Sequence, residues 1–397
     1  MPLGLYISVP FCRTKCTYCN FASDVFSKAV FQRYVDRICN DIAHAATTAA
    51  QMGGVMERTV DSLYCGGGTP TLLDINQLER LFVTIWQNFD LQPAAEITVE
   101  CAPGTLTPPL IELFHRYRVN RVSLGVQSFV DQEASSVGRL HNRLTVLDDI
   151  TRLRDAGITN LNLDLIAGLP HQTAQSWKSS LEQVIATQAP HISIYMLEVD
   201  DDSRLGRELI AGGTKYHAHF VPDEDLTATL YETAWDRLGA AGIQQYEISN
   251  FARPGFESRH NLKYWTRQPY LGFGVDAHSM LTNGGTAVRF GTPDSVEQYI
   301  AGATLKPNFI DRHAALEETF FLGLRLNRGL DLDQVASDFG SREVADLAFI
   351  VEELIETGLL ERQGSVIRLT SRGRLLSNEV FERFLGADRV GTGVLPV

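Results

Sequence analysis

The segment Asn160-Leu161-Asn162-Leu163-Asp164-Leu165 alternates polar and leucine side chains without a break. Successive side chains of a strand point to opposite faces of a sheet, so this segment predicts a strand with one apolar and one polar face. The same division recurs in five further short runs, at 5–9, 62–65, 97–101, 122–127 and 192–197. Tyr6 and Ser8, Ser62 and Tyr64, Thr98 and Glu100, Ser123 and Gln127, and Ser193 and Tyr195 each share a face opposite aliphatic neighbours. Longer helical stretches separate the runs, the pattern of βα units around a parallel sheet. An ordinary eight-stranded barrel fills its interior with branched apolar side chains. A polar lumen on every strand therefore predicts a wider or incomplete barrel that holds a polar ligand. The expected fold class is α/β, a partial (β/α)6 barrel over residues 1–200.

Beyond about residue 200 the chain becomes irregular and rich in Gly and Pro, with one helical run at 225–241 and a hairpin signal at Asn283-Gly284-Gly285. Residues 201–310 are read as an irregular extension and 311–397 as a separate C-terminal module. Helical runs at 314–325, 332–339 and 344–357 precede a hairpin pattern at 359–369 and a last helix to about 385. Three helices followed by a two-stranded wing make a winged-helix-like domain, a fold often associated with DNA. From residue 313 onward, however, there are nine Arg, no Lys and fourteen Asp or Glu. The whole chain carries 35 basic and 48 acidic side chains, a net charge of −13 that repels phosphate backbones and anionic lipid. A docking or lid role fits the module better than DNA binding, and no nucleic-acid partner and at most peripheral membrane contact are expected. No apolar run approaches the ~18 residues that span a bilayer, and Met1-Pro2-Leu3-Gly4-Leu5-Tyr6 has no basic stretch ahead of an apolar one. The expected location is cytoplasmic.

Three of the six cysteines, Cys12, Cys16 and Cys19, fall within eight positions just after the first predicted strand, while Cys39, Cys65 and Cys101 are scattered. A parallel barrel carries its chemistry at that edge, the carboxyl ends of its strands. Three thiolates on one loop can ligate three irons of a 4Fe-4S cluster and leave the fourth iron open to a ligand that is not protein. Structural zinc wants four ligands, and no second CxxC or HxxxH pair is present; a redox CxxC at Cys16 and Cys19 leaves Cys12 without a role. Gly66-Gly67-Gly68-Thr69-Pro70 follows the second strand, where backbone without side chains can approach a ligand closely. Glu100, Gln127 and Asp164 end three further strands on the polar face, able to accept from ribose hydroxyls or an adenine amino group.

The CxxxCxxC spacing, with Tyr18 before the last Cys, resembles the signature of the radical S-adenosylmethionine (SAM) superfamily. The resemblance implies that the open iron takes the amino and carboxylate groups of SAM, and that an electron delivered through the cluster cleaves it to methionine and a 5′-deoxyadenosyl radical. The electron donor is not encoded here. Tyr6-Ile7-Ser8-Val9-Pro10-Phe11-Cys12, Gly66-Gly67-Gly68-Thr69-Pro70, Leu124-Gly125-Val126-Gln127-Ser128-Phe129 and Asp164-Leu165-Ile166-Ala167-Gly168-Leu169-Pro170 together resemble the oxygen-independent coproporphyrinogen III oxidase-like family, over residues 5–385. That likeness implies cluster ligation by Cys12, Cys16 and Cys19. It also implies SAM contacts from Tyr6, Tyr18, Gly67, Gly68, Thr69, Glu100, Gln127, Arg139 and Asp164. Glu198 stands at a further SAM-contact position, but its residue type departs from the oxidases.

Within the family, the oxidases add a fourth Cys two places after the third, where this chain has Phe21, and carry a long arm ahead of the barrel, where this chain has five residues before Tyr6. His260-Asn261-Leu262-Lys263-Tyr264-Trp265 instead resembles the HNxxYW motif of the family's haem-chaperone branch. The likeness implies a protein that binds haem and passes it to an acceptor protein, with coproporphyrinogen III dehydrogenation as the alternative activity. A neutral imidazole suits haem iron, and Tyr264 and Trp265 offer flat apolar faces to a porphyrin. The alternative is a loop that packs its aromatics on the barrel mouth with His260 hydrogen-bonded, and His278 is a second candidate ligand.

Overall fold

A computed structural model describes residues 1–283 and 286–385. Six parallel strands, β1 (Leu3–Val9), β2 (Thr59–Gly67), β3 (Asp90–Cys101), β4 (Arg121–Gln127), β5 (Asn160–Ala167) and β6 (His191–Met196), lie side by side in chain order. The helices Lys28–Ala43, Ile75–Asn88, Pro108–Arg116, Arg143–Asp155 and Ala174–Thr187 cross between them. Local chemistry starts these helices: Asp74 and Gln77 form a capping box, Thr107 caps a helix that begins with proline, and Asn142 and Thr173 cap the next two. The strand alternation is realised in three dimensions. Leu5, Ile7, Leu63, Ile97, Val99, Val122, Leu124, Leu161, Leu163, Leu165 and Ile192 are buried outward against the helices in one continuous core, which also holds Cys39, Cys65 and Cys101. Each fully buried aliphatic side chain there is worth roughly 1.5–3 kcal/mol.

The stretch that reads as irregular in sequence is ordered and extends the sheet at both edges. On one side β8 (Asn250–Ala252) pairs antiparallel with β6, and β7 (Gln244–Gln245) pairs with β8. On the other, β9 (Tyr270–Phe273) pairs parallel with β1, followed by antiparallel β10 (His278–Asn283), β11 (Thr286–Gly291) and β12 (Asn308–Ile310). Strands of two to six residues show too little period to be read from sequence; the open edges of the parallel sheet supply the hydrogen-bonding template. Asn283 pairs with Thr286, while Gly284 and Gly285 of the hairpin signal lie outside the described residues. The twelve strands run from β12 to β7, and no pairing between those two edges closes the barrel among the described residues.

At the C-terminal end, helices Arg312–Gly323, Leu332–Phe339, Ser341–Asp346 and Ala348–Glu356 precede β14 (Leu360–Gln363) and β15 (Val366–Leu369), with β13 (Leu330–Asp331) added to β15. The single helix expected at 344–357 is thus two, joined at Leu347. This unit has its own apolar core around Phe320, Val351, Ile367 and Phe381, which also takes in Ile248 and Trp265 from the extension. Residues 386–397 lie outside the described residues.

Candidate functional site

All six strands point their carboxyl ends the same way, and the cysteine loop leaves β1 at that end. Its backbone is tied to the glycine turn after β2: Gly68 N donates to Val9 O (2.8 Å) and Thr69 N to Phe11 O (2.8 Å). Cys12 N donates to Asp24 O (3.0 Å), Thr17 N to Val137 O (3.2 Å) and Cys19 N to Cys16 O (3.3 Å), so the loop is fixed at both ends and in its middle. The three thiols are free and partly exposed. Burial pushes the Cys12 and Cys19 thiols up, each against a hydrogen bond with Ser23 that favours the thiolate. Among the described residues no three His, Cys, Asp or Glu side chains close on a single metal ion.

The glycine turn is built to be bare. A Cβ on Gly66 would lie 2.7 Å from the Glu100 carboxyl carbon, one on Gly68 would lie 2.9 Å from Phe11 backbone atoms, and Gly67 has φ +103°. Glu100 is held from two sides, by Tyr64 OH (2.8 Å) and by Gly67 N (3.1 Å). Burial and the neighbouring Asp164 push its pKa up to about 7, against those two hydrogen bonds. Tyr6 lies on the same floor, its ring centroid 6.2 Å from that of Tyr64.

Across the lumen Asp164 accepts from Ser123 Oγ (3.0 Å) and Asn162 Nδ2 (2.7 Å), and burial raises its pKa. Gln127 ends β4 with φ +66°, beside an irregular register at 125–127. Arg139 reaches over Gly125, where an added Cβ would meet Nη2 at 2.6 Å. Its charge is felt by Tyr18, and it lies in the field of Cys16, Cys12 and Asp164. The Arg139 Nε is buried without a hydrogen-bond partner, a cation poised between the thiol loop and the lumen. Three free thiols, a bare glycine cradle, an orphaned guanidinium nitrogen and two part-buried carboxylates fit an anionic-and-cationic amino-acid headgroup beside an iron–sulfur cluster. Glu198, just beyond β6, is exposed and contributes to the field at Arg325.

The HNxxYW segment forms the helix Arg259–Trp265 at the opposite end of the barrel. Its N-terminus sits on buried Glu96, whose carboxylate accepts from Arg259 N (3.2 Å) and His260 N (3.2 Å). Ser62 lies opposite both Gly4 and Glu96 in the register, five residues short of the cysteine-loop end at Val9 and Gly67, about 16 Å along the strands. His260 is 1% exposed, with Nδ1 at 3.1 Å from Ser62 Oγ and Nε2 at 2.8 Å from Tyr264 OH. Burial drives its pKa down to about 3, so it is a neutral, doubly bonded core imidazole lying 5.4 Å from the Tyr64 ring. Trp265 is buried under the Arg325 guanidinium, 4.3 Å from its ring. In this arrangement His260, Tyr264 and Trp265 plug the barrel and seat the C-terminal unit. Both ring nitrogens of His260 are engaged by Ser62 and Tyr264, while Trp265 Nε1 is buried without a hydrogen-bond partner. His278 is exposed on β10, at 3.8 Å from Asp276.

Sequence reading missed Glu96, Arg121, His191 and Glu247, all buried in this lower lumen. Glu96 shares the period-two face with Thr98 and Glu100, so the alternation could have found it. Arg121 and His191 likewise stand two residues before Ser123 and Ser193 on their polar faces, and Glu247, outside any strand read from sequence, has no such mark. A partly open cavity of about 240 Å³, lined by Arg37, Asp41, Phe273 and Tyr299 among others, lies on the helix side of β9 and takes no part in this lumen.

The partial parallel barrel with a three-thiol loop and a glycine turn at its carboxyl end defines a radical SAM protein. A family model for the Radical SAM superfamily matches residues 6–184, and one for the HemN C-terminal domain matches residues 310–376. The solved structure of coproporphyrinogen III oxidase (HemN) from Escherichia coli, a radical SAM enzyme, superposes with a TM-score of 0.81 at 25% identity, over 96% of this chain and 90% of that one. Heme chaperone HemW of Lactococcus lactis subsp. lactis is 32% identical over 391 residues, 98% of each chain. Heme chaperone HemW of Bacillus subtilis is 34% identical over 390 residues, 96% of this chain and 98% of that one. The chain belongs to the heme chaperone HemW family.

Proposed function

We propose that the protein is a haem chaperone, which binds haem beside a SAM-coordinated 4Fe-4S cluster and transfers the haem to an acceptor protein in the cytoplasm. The similarity to heme chaperone HemW of Lactococcus lactis across 98% of both chains carries this reading. The absence of a fourth cysteine at Phe21 supports it over the oxidase.

Cys12, Cys16 and Cys19 hold the cluster, which when bound supplies an open iron and an electron path. Arg139 and the bare backbone of Gly67 and Gly68 face the carboxylate and amino ends of SAM, with Thr69 closing the turn. Glu100, Gln127 and Asp164 accept from its hydroxyl and amino groups, and Tyr6 and Tyr18 wall the site against water. No helix of the described residues is long and apolar enough to cross a membrane.

The test is anaerobic reconstitution with iron and sulfide, followed by parallel assays of haem uptake and of coproporphyrinogen III decarboxylation with SAM and reductant. Haem uptake without decarboxylation is expected. Turnover above that of a variant lacking all three loop cysteines would replace the chaperone by the dehydrogenase.

A further inference from the structure

The His260 motif is spent on the barrel's closed end, yet a second group of imidazoles lies at the open end. His171 follows β5, and His217 and His219 lie in the segment after the helix Arg204–Ala211. His171 N donates to Phe220 O (3.0 Å), which brings the two segments together. His171 and His217 both adopt left-handed backbone, φ +69° and +63°, a conformation that costs a non-glycine residue roughly 1 kcal/mol or more. It sets His171 Nε2 at 3.3 Å from His217 Nδ1. The rings of His171 and His219 each lie 4.0 Å from that of Phe220, whose side chain is nonetheless 46% exposed.

This cluster is anchored, not a loose loop tip. The buried Glu208 carboxylate accepts from Tyr216 N (2.7 and 2.6 Å to its two oxygens) and from Ala218 N (3.3 Å), clamping the segment onto the helix Arg204–Ala211. The start of that helix is tied to the cysteine loop, with Leu205 N donating to Thr17 O (2.8 Å) and Arg204 Nη1 to Lys15 O (3.3 Å). At 1.5 Å per residue the eight-residue helix spans about 12 Å, so one short helix links the imidazole segment to the thiol loop. The same helix exposes Leu209 (52%) and Ile210 (69%), an apolar surface with nothing of this chain packed over it among the described residues.

Resting on the haem-chaperone reading, we infer that haem is held at this surface, with His217 Nε2 on the iron, His171 fixing the His217 ring through Nδ1, and Phe220 under the porphyrin plane. The ligand chemistry selects a metalloporphyrin over a bare ion. No three side chains of the described residues close on one metal, so an ion lacking ligands of its own finds too few here, whereas haem brings four and needs only one or two imidazoles. A ligating imidazole is normally oriented by a hydrogen bond to its other nitrogen, the part His171 plays. Exposed Arg204, Arg207 and Lys215 supply positive charge for the propionates in an otherwise acidic chain.

The test is a haem titration of the full-length, cluster-loaded protein, followed by the Soret band, for the wild type and for His217→Ala, His171→Ala, His219→Ala and His260→Ala. Circular dichroism and iron content check folding, and His217→Gln serves as a second, less disruptive variant. His217→Ala should shift the Soret band and weaken binding about tenfold or more, and added imidazole should restore the wild-type spectrum. His171→Ala should weaken binding while the iron remains imidazole-ligated, and His219→Ala and His260→Ala should leave the band in place. Haem binding by the wild type with an unchanged spectrum and affinity in both His217 variants would overturn this site and leave the chaperone reading standing. Failure of the wild type to take up haem at all would overturn both.

Discussion

The backbone N–H of Gly67 donates to Glu100 Oε2 at 3.1 Å, so the bare turn after β2 and the carboxylate at the end of β3 form one unit. Tyr64 OH holds the other oxygen, and the Tyr64 ring lies 5.4 Å from His260 below it. The floor of the open end is thus continuous with the plug at the closed end.

Glu100 makes stability depend on pH in the ligand-free protein. In the folded chain its pKa is raised from 4.5 to about 7, so between those values the unfolded chain gives up its proton first and stability falls as pH rises. Glu100→Gln removes that loss. Urea melts of the apoprotein should show the variant gaining on the wild type from pH 5 to pH 8, by up to about 3 kcal/mol. A difference that does not change with pH would contradict the buried, proton-holding carboxyl.

Replacing Cys12, Cys16 or Cys19 by Ala should abolish the 4Fe-4S absorption and the reduced-state EPR signal, a signal that changes in the wild type when SAM is added. Cys39, Cys65 and Cys101 belong to the apolar layer between sheet and helices, and their replacement by Ala should leave iron content unchanged. Cluster loss from any of these three would overturn the ligand assignment.

Asp164→Asn and Gln127→Ala each remove a group at the lumen wall and no thiol. SAM affinity, measured by equilibrium dialysis on samples of matched iron content, should fall by about tenfold in each, the loss of one or two hydrogen bonds to a polar ligand. Undiminished binding in both would place SAM elsewhere.

His260→Ala and Trp265→Ala act on the fold. His260→Ala strands Ser62 Oγ and Tyr264 OH in the interior and should cost about 2 kcal/mol, while Trp265→Ala opens a void under Arg325 and should cost roughly 3–5 kcal/mol. Thermal melts report both, and a haem spectrum that moves with His260→Ala but not with His217→Ala would assign the axial ligand to His260.

How much was legible in the sequence depends on how local each signal is. The alternation in Asn160–Ala167 declared its strand, its buried face and its polar face, because the period of two is a property of the strand itself. The CxxxCxxC spacing, the glycine turn and the carboxylates at strand ends were equally readable, since the carboxyl edge of a parallel sheet is implied by chain direction. The short strands β7 to β12 were not, because each is held by a sheet edge built from distant residues. The same reason governs the histidines. Sequence marks His260 with a motif, but only packing against Ser62, Tyr264 and Glu96 decides that both its nitrogens are spent. His171 and His217 are 46 positions apart and carry no motif, and they meet because Glu208 and Phe220 fold one segment onto another. Composition, strand period and ligand spacing are written along the chain; which imidazole is free to meet a ligand is settled by long-range contacts that no local pattern encodes.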